Sequence, residues 1–329
     1  MAEDVNVEHL LYVFASVNPS SNDIWIACID FISLLNLHKP RQTVLSLKIE
    51  VLPNDHPSKH KFLSVLLDLS QLVGNLIEKI RLLNHLLKLE RERGNDRGVA
   101  DTLGRLSEAS QLLSRPKEGI YQAREALEIY ERLGDTFPRA GCLSLLARSL
   151  CDDGQLDAAE EAAICSNELL LKIRGVHMTS YSQLTLGDIY LSKGQKERAI
   201  YHLKMALRIA SFLNWKSHLF LVHLSMAEYF LSEDEFNDGY VHIKQAKLYA
   251  ADAPYDLATA ALLQSRILYR QQRLEDAVSE SLDALEIFQK VGALHRLASC
   301  RALLRDIERA RKVELPSASQ IPTVSLEAV

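Results

Sequence analysis

Six charged residues stand at nearly equal intervals along this 329-residue chain: Asp68, Glu108, Arg148, Asp188, Glu228 and Arg266. Two chemistries fit such a row. Acids and bases recurring in one register can neutralise each other down a ladder, or they can orient a ligand that carries charge of its own. Catalysis finds less to build on. His218 and His223 are five residues apart and share a helix face poorly, and no His-Glu-x-x-His or Cys-x-x-Cys spacing gathers metal ligands. No Gly-x-Ser-x-Gly elbow presents a nucleophile. His202 and His242 are forty apart and read as surface histidines whose spacing follows a repeat. Asp152-Asp153 and Glu160-Glu161 read as solvated charge in turns or on helix faces. These residues imply no enzyme, no metal and no cofactor.

The elements that must position the row follow from a period of forty. Asp153-Gly154-Gln155-Leu156-Asp157-Ala158-Ala159 superposes on Lys193-Gly194-Gln195-Lys196-Glu197-Arg198-Ala199. The small residue closing each segment recurs as Gly119, Ala159, Ala199, Gly239 and Ala277, with Lys79 as a worn copy. Seven residues later come Ala126, Ser166, Ala206, Ala246 and Ala284; twelve residues earlier come Ser107, Ala147, Gly187, Ala227 and Ser265. Antiparallel helices approach to about 8–10 Å only where the side chains at their crossing are small, so each unit is a helix, a short turn and a second helix. Leu143, Leu146 and Leu150 keep the helical period on the first helix, and Ala123, Leu127 and Tyr130 on the second. Gly94-Asn95, Gly134-Asp135, Gly175 and Gly292 fall where second helices must stop. The charged row lies eleven residues before each small anchor, on the first helices.

Upstream, the register reaches a divergent unit with Ala27 at the small position and His38-Lys39-Pro40 at the turn. The expected organisation is N-terminal helices and a divergent first hairpin over 1–57, six hairpins over 58–292, a capping helix over 293–313 and a disordered tail over 314–329. Composition agrees with a continuous helical core: 47% of residues are hydrophobic, against 13 Gly and 9 Pro. The net charge of -5 gives no reason to expect nucleic acid or an anionic membrane as partner. The longest apolar run, Ile24 to Leu37, is broken by Asp30, Ser33 and Asn36. The N-terminus is acidic where a secretory signal is basic, and the five cysteines read as free thiols, so the expected location is the cytoplasm.

Leu-Gly-Asp-Ile-Tyr (186–190) and Ala-Leu-Glu-Ile-Tyr (126–130), with the three small positions, resemble the tetratricopeptide repeat. The period near forty and the missing closing proline resemble the longer repeats of kinesin light chains and signal-transducing NTPases. Four further segments are similar to the C-terminal sensor region of fungal NACHT or NB-ARC (STAND-type) NTPases: Leu52-Pro53-Asn54-Asp55-His56-Pro57, Glu90-Arg91-Glu92-Arg93-Gly94-Asn95-Asp96, Gln155 to Ala162, and Phe212-Leu213-Asn214-Trp215. No Gly-x-x-x-x-Gly-Lys-[Ser/Thr] phosphate loop occurs, so this resemblance implies a sensor without its NTPase, stand-alone or part of a longer chain.

The resemblance implies an all-α, right-handed superhelix of about seven hairpins plus a C-terminal capping helix, its first helices lining a concave groove. It implies a non-catalytic scaffold, a sensor or regulatory module, that holds a protein or peptide there. The charged row then forms the groove floor, with Tyr181, Leu184, Leu191, Leu221, Leu224, Leu231 and Tyr269 as apolar contacts. The row lacks the Asn and Lys of the carboxylate clamp that chaperone-binding relatives use. The alternative from another class is a signalling enzyme resembling the peptide-regulated phosphatases that also carry these repeats.

Overall fold

The computed structural model describes Leu63, Leu67 and residues 76–250, 253–291 and 293–314. The expectations for residues 1–57, for Asp68, for Gly292 and for the tail after Glu314 lie outside the described residues. Those that are described form twelve helices and no strand. They are α1 (Leu76–Glu92), α2 (Asp96–Leu112), α3 (Pro116–Leu133), α4 (Thr136–Asp152), α5 (Leu156–Lys172), α6 (Val176–Ser192), α7 (Lys196–Phe212), α8 (Lys216–Ser232), α9 (Phe236–Ala250), α10 (Pro254–Arg270), α11 (Leu274–Val291) and α12 (Leu294–Glu314). Contacts divide the chain into two compact units, one ending at Ser192 and one beginning at Lys193.

One stop signal sets the helix length. Residues 94, 114, 134, 154, 174, 194, 214 and 234, spaced by twenty, all adopt positive φ. After α3, the Gly134 N–H donates to the Glu131 carbonyl at 3.2 Å and the Asp135 N–H to the Tyr130 carbonyl at 3.0 Å, the paired closure of a Schellman motif. The same pair of bonds closes α1, α2, α4, α5, α7, α8 and α10. Glycine occupies four of these eight left-handed positions and Ser114, Arg174, Asn214 and Asp234 the others, and Gln272 adopts the same conformation after α10. Gly175 differs from its expected place, because Arg174 takes the positive φ after α5 and Gly175 follows it. Space explains that glycine: an added Cβ would stand 3.1 Å from Leu170 Cδ2 and 3.5 Å from Phe137 Cε2.

The small triplet lies where the hairpins close. Ala147, Ala227, Ala159, Ala199, Ala277, Ala126, Ala206, Ala246 and Ala284 are all fully buried. A Cβ added to Gly119 would come within 2.6 Å of Ser149 Oγ, and one added to Gly239 within 2.9 Å of Ile267 Cδ1. Where serine replaces alanine, its hydroxyl spans the crossing. Ser107 Oγ donates to the Gly119 carbonyl at 3.0 Å in the first unit, and Ser265 Oγ to the Ala277 carbonyl at 2.6 Å in the second. Each such bond satisfies a buried hydroxyl and contributes about 1 kcal/mol. α12 packs on α11 through Leu297, Cys300 and Ile307.

Candidate binding face on the first helices

In the first unit α2, α4 and α6 lie side by side, each contributing one member of the charged row. Gln111 ties α2 to α4, its Nε2 donating to the Leu145 carbonyl at 2.8 Å and to Ser149 Oγ at 3.0 Å. From α4, Arg148 reaches α6: Nη1 donates to the Tyr181 hydroxyl at 3.1 Å, and Cζ lies 5.4 Å from the Tyr181 ring centroid. Arg148 is half-buried, and Tyr181 is its one hydrogen-bond partner among the described residues. Its pKa is driven above the usual arginine value, first by the Tyr181 oxygen as a phenolate and then by Asp188 and Asp152, against burial. Burial raises the Tyr181 pKa, so the phenol is neutral at pH 7 and the two carboxylates supply the opposing charge.

Glu108 turns the other way. Its Oε2 lies 3.9 Å from Nζ of Lys79, whose ammonium is buried on α1 where later units carry Gly or Ala. Asp188 is half-buried beside Arg148, and Leu191 is half-buried one turn further along α6. Leu184 departs from the expectation, because at 1% exposure it is core and offers no surface to a ligand. Lying three residues before Gly187, it shares that residue's inward stripe. Cys151 approaches Ser192 at 3.6 Å, and burial raises its thiol pKa, the opposite of what a nucleophile needs.

The second unit repeats the register with different partners. Arg266 on α10 donates from Nη1 to Glu228 Oε1 on α8 at 3.0 Å, and Arg270 to Asp234 at 2.6 Å. Both members of the Arg266–Glu228 pair are 49% exposed. Leu231 is a second correction: it is buried with Ala227, Ile243, Leu263 and Ile267, four residues after the crossing alanine and on its inward face. Leu221, Leu224 and Tyr269 are half-buried, each packed against a core cluster and each keeping an accessible edge.

No protein-family model matches the sequence, and no curated protein does. Solved structures do match. A Rap protein complexed with competence and sporulation factor superposes with a TM-score of 0.61 at 16% identity, over 94% of this chain and 92% of its own. The Rap conjugation gene regulator of plasmid pLS20, in complex with the Phr* peptide, gives 0.56 at 12% identity over 96% and 98%. A tetratricopeptide repeat protein from Parabacteroides merdae gives 0.55 at 11% over 85% and 98%. The fold is the tetratricopeptide-repeat fold.

Within one tetratricopeptide hairpin, α8 and α9, lies an arrangement that sequence spacing did not reveal. His223 and His242 face each other with their Nδ1 atoms 2.8 Å apart, a hydrogen bond for which one ring must donate and the other accept. Tyr249 stacks on His223 at 5.6 Å and Phe230 on His242 at 5.2 Å. His242 is therefore no surface histidine. Burial, then His242, pushes the His223 pKa down to about 4, and burial lowers that of His242 against the opposing charge of Asp238. His202 is half-buried, and burial and then Arg198 lower its pKa. Among the described residues no group of three or more His, Cys, Asp and Glu could hold a metal ion, and no helix is long and apolar enough to cross a membrane.

Proposed function

We propose that this chain is a non-catalytic scaffold that holds a peptide or a segment of a partner protein against its first-helix face, as a sensor or regulatory module. The observation that carries the reading is Arg148, a charged fork held by one tyrosine on a half-open surface, with most of its donors unused. Two of the structures that share the fold were solved with a peptide or a signalling factor bound, which supports the same use of this one. Tyr181 and Leu191 supply apolar edges beside the row in the first unit, and Leu221, Leu224 and Tyr269 do so in the second. The described cysteines, Cys142, Cys151, Cys165 and Cys300, are free thiols, in keeping with a reducing cytoplasm.

Affinity capture tests this reading. Wild-type chain and Arg148→Glu, presented to the same lysate, should recover different partners, the variant losing a protein that wild type retains. Identical partners at equal strength would remove the first-helix face from the binding surface.

A further inference from the structure

Resting on that reading, we propose that Arg148 is the anchor for a single carboxylate of the bound peptide. A guanidinium carries five N–H donors in a planar fork. Only Nη1 of Arg148 is engaged, by the Tyr181 hydroxyl, so the Nε and Nη2 edge makes no hydrogen bond to a described residue. That edge offers two parallel N–H groups, the arrangement a carboxylate accepts in bidentate fashion. Among the described residues no carboxylate is hydrogen-bonded to it. Asp188 and Asp152 are near enough to raise the Arg148 pKa. The row member on the other side, Glu108, stands at Lys79.

The surroundings restrict the ligand further. Asp188 on α6 and Asp152 on α4 itself already act on the guanidinium, so a dianionic phosphate, which needs more than one cation, is disfavoured. Neighbouring helices lie about 8–10 Å apart, roughly three residues of extended peptide, so a second acidic residue within that distance of the first is disfavoured as well. The class of ligand is a peptide with one isolated carboxylate, from an Asp or Glu side chain or from its own C-terminus, among neutral or basic residues. Arg266 holds the same register but has its carboxylate within the chain, in Glu228 at 3.0 Å, and does not anchor.

The test uses the immobilised full chain and random peptide libraries in two arms, one with free C-termini and one with the C-terminus blocked by fusion. Selected peptides should share one carboxylate, internal in the blocked arm if a side chain supplies it, and confined to the free arm if the terminus does. Converting that carboxylate to the amide should weaken binding to wild type by about ten- to a hundredfold, the range for a charge-assisted hydrogen bond, and leave binding to Arg148→Gln unchanged. Arg266→Gln should bind the selected peptides within about threefold of wild type, the scale of an exposed ion pair. Arg148→Lys, which keeps the charge and loses the fork, should fall between, and it carries the test if Arg148→Gln does not fold. Selected peptides with no shared carboxylate, or an amide equally costly to wild type and Arg148→Gln, overturn the anchor and leave the scaffold standing. No enrichment in either arm overturns both.

Discussion

Arg148 and Arg266 occupy one register position in two units, and their neighbours give them opposite fates. In the second unit Glu228, on the preceding first helix, meets Arg266 at 3.0 Å. The corresponding acid in the first unit, Glu108, lies instead 3.9 Å from Lys79. The difference traces to one worn position, where a lysine stands in place of the small residue that closes the other hairpins. The buried Lys79 ammonium needs a counter-charge more than the half-buried Arg148, already held by Tyr181, and it draws Glu108 away from the row. Repeats that are equal in backbone thus differ in side-chain pairing through residues outside the row itself.

The crossings of the two units should behave alike. Ala147→Leu in the first and Ala206→Leu in the second both overfill a fully buried position, and each should cost about 1–3 kcal/mol in denaturant unfolding. An unchanged midpoint for either would mean that its small residue does not close a hairpin. Lys79→Ala should erase the contrast in the rows. Freed from its partner, Glu108 should pair with Arg148, and peptides selected by wild type should bind the variant about tenfold less tightly, as expected when a charge-assisted bond is taken by an internal acid.

The histidine pair gives the second unit a pH dependence. The folded pKa of His223, about 4, lies below its ordinary value of 6.5, so its contribution to stability is full above pH 6.5 and is lost as pH falls toward 4. Between pH 7 and pH 5 the His223 contribution should fall by about 1–2 kcal/mol. It is read as the difference between the melting-temperature curves of wild type and His223→Phe, since Asp256, raised to about 6 by burial, shifts both curves the opposite way. A wild-type curve parallel to that of the variant would count against the buried pair. The smallest effects belong to the turns. Ser114→Gly in the first unit and Asp234→Gly in the second each relieve a left-handed residue and should gain at most about 1 kcal/mol. A gain in only one of them would show that the two turns are not equivalent.

Most of the fold was legible because the close approach of two helices demands small side chains, and that demand is written directly into residues such as Ala159 and Ala199. The turns were legible only where glycine marks them. Ser114 and Arg174 adopt the same conformation with no sign in their type, because the Schellman bonds are made by backbone groups. The charged row was found by register, whereas its partners depended on which neighbour each side chain meets across a helix pair. Leu184 and Leu231 were misplaced for a related reason: a small residue fixes where helices cross, but not how wide a stripe around the crossing is buried. His223 and His242, nineteen residues apart on different helices, become a pair only once α8 and α9 pack together.

Hydrogen exchange of the full chain, with and without a peptide selected for binding, tests the central proposal most directly. Protection should concentrate on the first helices of the first unit, α4 and α6 around Arg148 and Tyr181, and should be absent there in Arg148→Gln. Protection confined to the second helices α3 and α5, with α4 and α6 unaltered, would place the ligand on another face and contradict the scaffold described for Arg148.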